Sequence, residues 1–236
     1  MTISTRTPTV GGYRIEQLAA STGAAAVISL IVGSFILPTM PKINDPAMTV
    51  QNYFLSHRTS VRVSIYLLGV AVALFAWFLG TIRVHLRKAE GNHGRLSSVA
   101  FGAGLITLSI FGVGLVVEAA LVFSAQSASP TTTQALYDVL AVSAAIEAFA
   151  LIPFAGAVAA VGLRHQALPA WLGAGFGVFA LYEFIEGAAF SASSGAFAPG
   201  DVLNMIGLIA FAVLVLVLSL SLVKEVGKSK ASSGNS

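Results

Sequence analysis

Four glutamates stand inside apolar runs of this chain: Glu118, Glu147, Glu183 and Glu186. An ionisable side chain at the centre of a bilayer costs about 2.5–3.5 kcal/mol on insertion scales, and such residues face a bundle interior and mark sites. Glu183 and Glu186 are spaced i, i+3, which sets both on one face of a helix. Their run, residues 171–190 (WLGAGFGVFALYEFIEGAAF), has twenty residues and is long enough to cross a bilayer. A related phrase occurs earlier, Val117-Glu118-Ala119-Ala120 against Ile185-Glu186-Gly187-Ala188, and Ile146-Glu147-Ala148 lies between them. The chemistry open to carboxylates in such a setting is the holding of a proton, a cation or a cationic solute.

Glu186 and Glu118 fall about 6–8 Å below the outer ends of their runs at 1.5 Å per residue. Glu183 is one turn deeper and Glu147 deeper still, so all four fall on the outer side of the bilayer midplane. Either they line one outward-facing pocket, or each is satisfied separately by Ser, Thr, Tyr or backbone at its own helix contact. Four acids on the same side favour the shared pocket. His57, Arg58 and Arg62 lie on that side too, and Arg62 opens the second run, from which it reaches toward Glu118 or Glu186 as their expected cation. A metal site built from His57 and glutamates lacks any spacing signature such as His-Glu-x-x-His, so no metal and no cofactor is expected.

These residues are carried by a membrane chain. Hydrophobic residues make up 56% of the 236 and charged ones 10%, against roughly 25% charged in soluble domains, and the mean hydropathy is +0.85. With no cysteine there is no disulfide and no thiolate chemistry. The net charge of +3 is small, and the basic residues flank apolar runs instead of forming a patch, which argues against nucleic-acid binding. No Ser-His-Asp set lies inside the runs, so no catalytic residue is named and a membrane hydrolase is the third reading.

Six apolar runs, residues 18–37, 63–82, 96–123, 136–163, 168–190 and 202–223, are each long enough to span a core of about 30 Å. The predicted fold is therefore all-α, an integral membrane bundle of six transmembrane helices over residues 18–223. The first run exceeds the core of a signal peptide, roughly 7–15 residues, and ends in Pro38-Thr39-Met40-Pro41, so it reads as a retained helix. Ten basic residues (Arg6, Arg14, Arg83, Arg87, Lys88, Arg95, Arg164, Lys224, Lys228, Lys230) fall in one set of connections and three (Lys42, Arg58, Arg62) in the other. That asymmetry sets both termini in the cytoplasm. Residues 1–17 form a polar N-terminal segment and 224–236 a Ser/Gly/Lys-rich tail expected to be disordered.

In the outer loop, residues 38–62, Asp45-Pro46 reads as an N-cap followed by proline at the first helical position. Residues 49–58 then form either a short helix on the membrane surface or an extension of the second run. Pro153 offers a kink in the fourth. Ala25, Ser29 and Gly33 in the first run, and Gly173 and Gly177 in the fifth, are small residues four apart that let helices approach closely. Gly173-x-Gly175-x-Gly177 follows no strand, so a dinucleotide loop is excluded by context. The echo between the third and fifth runs is compatible with a parallel repeat of hairpins or with chance among Ala-rich helices.

The phrases Tyr53-Phe54, His57-Arg58, Trp77-Phe78-Leu79-Gly80-Thr81-Ile82-Arg83, Leu86-Arg87-Lys88-Ala89-Glu90-Gly91 and Ala167-Leu168-Pro169-Ala170-Trp171-Leu172-Gly173 together resemble a family of actinobacterial multi-pass membrane proteins of unknown function. The likeness covers most of residues 50–175. It implies a six-helix architecture and a plasma-membrane location, and it carries over no functional residue. Two functions stand level on this reading: binding or transport of a proton, cation or cationic solute by the glutamates, and a non-catalytic structural or regulatory membrane subunit. The lipid bilayer is the expected surrounding; a protein partner or homo-oligomer stays open.

Overall fold

The computed structural model describes residues 10–91, 94–188 and 202–233, with side chains for 14–91, 94–188 and 202–228. Arg6 and the rest of the first nine residues, the end of the fifth run from Ala189, the side chain of Lys230 and the last three residues of the tail lie outside that description. Among the described residues all regular structure is helical: α1 (Val10–Ile36), α2 (Ala47–Ser56), α3 (Arg58–Glu90), α4 (Arg95–Ser124), α5 (Pro130–Arg164), α6 (Ala170–Glu186) and α7 (Val202–Ser233). Five of them contain stretches long and apolar enough to cross a membrane, Arg14–Ile36, Arg58–Glu90, Arg95–Ser124, Pro130–Arg164 and Val202–Lys228. The chain is thus a multi-pass membrane protein by length and composition. The fifth predicted run corresponds to α6, whose 17 residues extend roughly 25 Å, a few ångströms short of the hydrocarbon core.

Local chemistry sets the helix ends. Ser129 caps α5 by accepting from the Thr132 N–H at 3.1 Å, with Pro130 at the first helical position. Between α3 and α4, Glu90 accepts from the Leu96 N–H at 2.8 Å and the Ser97 N–H at 2.9 Å. An anion thereby meets the positive end of α4. Gly91 (φ 76°) and Gly94 (φ 54°), which flank the connection, take left-handed backbone, open to glycine at no steric cost. Asp45 does not cap α2, whose N-cap is Pro46. Its carboxylate instead accepts from the Lys42 N–H at 2.8 Å and closes the turn before the helix. α7 runs on past the last apolar residue of its span to Ser233, where a disordered tail was expected; Lys224, Glu225 and Lys228 are good helix formers and prolong it. α5 passes through Pro153 without a break in the helix.

The long helices form a closed ring in the order α1–α3–α4–α5–α6–α7, with α7 packed back on α1. Hydrogen bonds identify its two ends. At one, His85 of α3 bonds the Ala167 carbonyl of the α5–α6 turn at 2.7 Å and lies 3.8 Å from Glu225 of α7. Arg83, Arg87, Lys88, Arg95, Arg164, Lys224 and Lys228 gather there by connectivity. At the other, Gln51 of α2 donates to the Ala125 and Ala128 carbonyls of the α4–α5 turn, both at 2.9 Å. Here α2 is a separate helix, broken from α3 at His57. It buries Val50, Tyr53 and Phe54 against Val61, Leu121, Val122, Ala125 and Tyr137. Those three side chains pack on the protein itself, while Met48 and Leu55 of the same helix are exposed.

Close approach of α1 to α3 depends on small residues. Gly23 faces the Phe78 ring, Ser29 donates to the Leu67 carbonyl at 2.8 Å, and Gly33 meets Leu68. Ala25, expected in this stripe, is on the outward face; Gly23 and the buried Ala26 take the contact. Gly173 and Gly177 both face α5, toward Leu163 and Ala159. A Cβ at Gly23 would come within 2.7 Å of the fully buried Phe78 ring, whereas nothing lies within 4 Å of one at Gly80. Gly23→Ala is expected to destabilise by about 1–3 kcal/mol through overpacking, while Gly80→Ala is neutral or stabilising by up to about 1 kcal/mol. Thermal unfolding in detergent reads the difference, and equal melting temperatures would contradict the packing.

Candidate functional site

At the end of the ring away from the basic cluster, helical spacing brings one face of each of four helices to a common space. Phe111, Gly114 and Glu118 recur at i, i+3 and i+7 on α4; Leu140, Ser143, Glu147 and Leu151 recur likewise on α5; Asn204, Gly207, Leu208 and Phe211 do so on α7. Glu183 and Glu186 supply the α6 face, and Leu68 of α3 completes the wall. The space between them is an open-sided cavity of about 190 Å³. All four sequence-predicted glutamates line it.

Glu118, Glu183 and Glu186 are 5%, 2% and 4% exposed, and Glu147 is half-buried. No Lys, Arg or His lines the cavity among the described residues. Glu186 Oε1 accepts from Asn204 Nδ2 at 3.0 Å, which ties α6 to α7. Its other oxygen, Oε2, is buried without a hydrogen-bond partner among the described residues, and so is Glu118 Oε1. Buried polar atoms are hydrogen-bonded in the great majority of cases, so two orphaned carboxylate oxygens in one cavity are the salient feature of the site.

Gly207 makes the convergence of the α6 pair possible. A Cβ there would lie 3.3 Å from Glu183 Oε1 and 3.1 Å from Tyr182 Cε1, and would press directly on Glu186 Oε2. Both carboxylates therefore reach the same point of α7, and only a bare backbone leaves room for them. Tyr182 does not serve the acids, since its hydroxyl donates to the Leu203 carbonyl. Tyr53, above Glu118, is engaged as well: its hydroxyl donates to the Pro38 carbonyl at 3.0 Å. Burial and then the charge of Glu118 push the Tyr53 phenol up to about 12.

Below the cavity lies an aromatic cluster. Phe211, on the cavity wall, has its ring centroid 5.4 Å from Phe75, 6.3 Å from Phe154 and 6.0 Å from Phe179. Phe176 and Phe78 extend the stack. These rings fill the bundle between the cavity and the basic end.

The two basic candidates do not join the glutamates. Arg62 is exposed and holds its guanidinium 4.8 Å above the Phe123 ring, so the expected pairing with Glu118 or Glu186 is replaced by a cation–π contact on the outside of α4. His57 turns back on its own helix, where Nδ1 meets the Tyr53 carbonyl at 3.0 Å and the ring lies 4.8 Å from that of Tyr53. Among the described residues no three His, Asp or Glu side chains are arranged to hold a metal ion. Asn204, Gly207 and Phe211 escaped the sequence reading; Asn204 is the one amide in an otherwise apolar run, and its i, i+3, i+7 spacing with Gly207 and Phe211 is the signal that marks them.

Searches against protein-family models, curated proteins and solved structures give no match, so the functional reading rests on the cavity. Filling the space under the carboxylates tests its geometry. Gly207→Ala is expected to displace Glu186 and lower thermal stability by about 1–3 kcal/mol, and Gly112→Ala, with nothing within 4 Å of the added carbon, to leave it unchanged or raised. Equal behaviour of the two variants would contradict the convergence on Gly207.

Proposed function

We infer that this chain is a six-span plasma-membrane protein with both termini in the cytoplasm, and that it binds and carries a proton or a cationic solute in the carboxylate-lined cavity. The observation that carries this reading is the pair of buried oxygens, Glu118 Oε1 and Glu186 Oε2, left without hydrogen-bond partners among the described residues, in a cavity that four glutamates and, among those residues, no basic side chain line. A buried carboxylate with no counter-charge is costly in a low-dielectric interior, and a proton or a cation relieves it. The aromatic cluster beneath the cavity supports access from the opposite, outer end. The gathering of Arg83, Arg87, Lys88, Arg95, Arg164, Lys224 and Lys228 at one end supports that end as the cytoplasmic one. The resemblance of residues 50–175 to actinobacterial multi-pass proteins supports the plasma membrane as the location, and α6, at the position of the fifth apolar run, supplies the sixth span of this reading.

A structural or regulatory subunit is the competing reading, and the Asn204–Glu186 bond between α7 and α6 is the observation in its favour. One acid–amide bond accounts for a single oxygen of one glutamate. It gives no role to Glu118, Glu147 or Glu183, nor to the space between them, so the binding reading takes in more of the site.

Apolar carbodiimides modify protonated carboxyl groups in apolar surroundings. Treatment of the protein in lipid nanodiscs, followed by peptide mass spectrometry, is expected to label the cavity glutamates, and labelling is expected to fall as pH rises and the site gives up its proton. Labelling that is absent, or that does not vary with pH, would contradict an exchangeable site.

A further inference from the structure

We propose that the ligand of the cavity is an organic primary ammonium ion with a compact apolar body. The proposal rests on the cation-binding reading above and assigns its ligand class.

Size comes first. A cavity of about 150 Å³ lined by apolar side chains accommodates benzene, and this one, at about 190 Å³, has room for a ring or a short branched chain together with a charged head. A bare metal ion would leave most of it empty. Ligand geometry points the same way. Divalent cations are held by oxygens at about 2.0–2.6 Å converging on one point, whereas among the described residues no three acidic or imidazole side chains converge so closely. The acids are dispersed over α4, α5 and α6. Glu118 and Glu186 stand on different helices of the cavity, and either can take an ammonium head, whose N–H donors a single carboxylate oxygen accepts. The orphaned oxygens of Glu118 and Glu186 are available acceptors, each on a side chain more than nine-tenths buried.

The remaining wall is mostly apolar, with Leu68, Leu140, Leu151, Phe111 and Phe211 beside the polar Ser143 and Asn204. A proton or a metal ion has no use for that surface. An ammonium ion bearing an apolar body buries that body against it. A second, apolar cavity of about 70 Å³ adjoins the first and shares Phe111, Glu147, Leu208 and Phe211 with it. It extends the apolar space toward α1 and α3 behind those four side chains, where the body of a larger amine would lodge once they shift.

Equilibrium binding of radiolabelled benzylamine to the full-length protein in nanodiscs, corrected for empty nanodiscs, tests the assignment. Expected are saturable binding and competition by unlabelled benzylamine at a concentration about tenfold or more below that needed of benzyl alcohol, the worth of one hydrogen bond to a charged group. Sodium and calcium chloride at matched ionic strength should not compete, and Glu118→Gln/Glu186→Gln should abolish saturable binding. Equal competition by benzyl alcohol would overturn the proposal, because the carboxylates would then contribute nothing. Competition by sodium or calcium as strong as by the amine would overturn the ligand class while leaving cation binding intact. The competition arms use the unaltered chain, so they decide even where the double variant fails to fold. Absence of saturable binding alongside pH-dependent carbodiimide labelling overturns the ligand class alone; absence of both removes the cation-binding reading with it.

Discussion

A carboxylate buried among apolar helices without a counter-cation is the constraint on which this molecule turns. Four of them face one cavity, and no basic residue among the described ones reaches it. Unpaired acids in a low-dielectric interior would weaken the bundle, so the rest of the structure has to hold the helices together independently of them. It does so beneath the cavity, where Phe75, Phe78, Phe154, Phe176, Phe179 and Phe211 interlock. Ser219 makes a polar tie in the same region. Its hydroxyl donates to the Ala20 carbonyl at 2.6 Å and accepts from the Ala24 N–H at 3.0 Å, joining α7 to α1. Above the cavity, α2 and the loop before it are pinned by Tyr53 to Pro38, Tyr137 to Pro41 and Gln134 to Ile43.

Phe211 belongs both to the cavity wall and to the aromatic cluster, and Glu147 belongs to both cavities. On the proposed reading, a ligand at the acids would sit beside side chains that also take part in the packing below, where Phe211 of α7 meets Phe154 of α5.

Much of the scaffold was legible in the sequence because a bilayer-length apolar run dictates a helix almost regardless of detail. The third run matches α4 to within one residue at each end, and the fourth matches the C-terminal end of α5, which begins six residues earlier at Pro130. The glutamates were legible for the same reason, since each interrupts such a run. Rotational phase about the helix axis was harder to read. Arg62 is at the expected height on α3 but faces Phe123, and Ala25 is at the expected height on α1 but faces outward while Gly23 faces Phe78. Apolar residues surround these helices on all sides, so hydrophobic periodicity carries little information about which face is inside. Asp45 shows a different limit: as a helix cap and as a turn closer it obeys the same local chemistry, and the loop geometry chooses.

The central claim is that acids from separate helices share one cavity. The chain has no cysteine, so a pair introduced by Glu118→Cys and Glu186→Cys reports on that space without background. In membranes, a short bis-thiol-reactive crosslinker should bridge the pair within a single chain. A control pair made by Phe35→Cys and Glu186→Cys should stay unbridged, since Phe35 is on the exposed surface of α1. If both single cysteines react with a small thiol reagent but the pair is never bridged, the carboxylates belong to separate sites and the shared cavity is refuted.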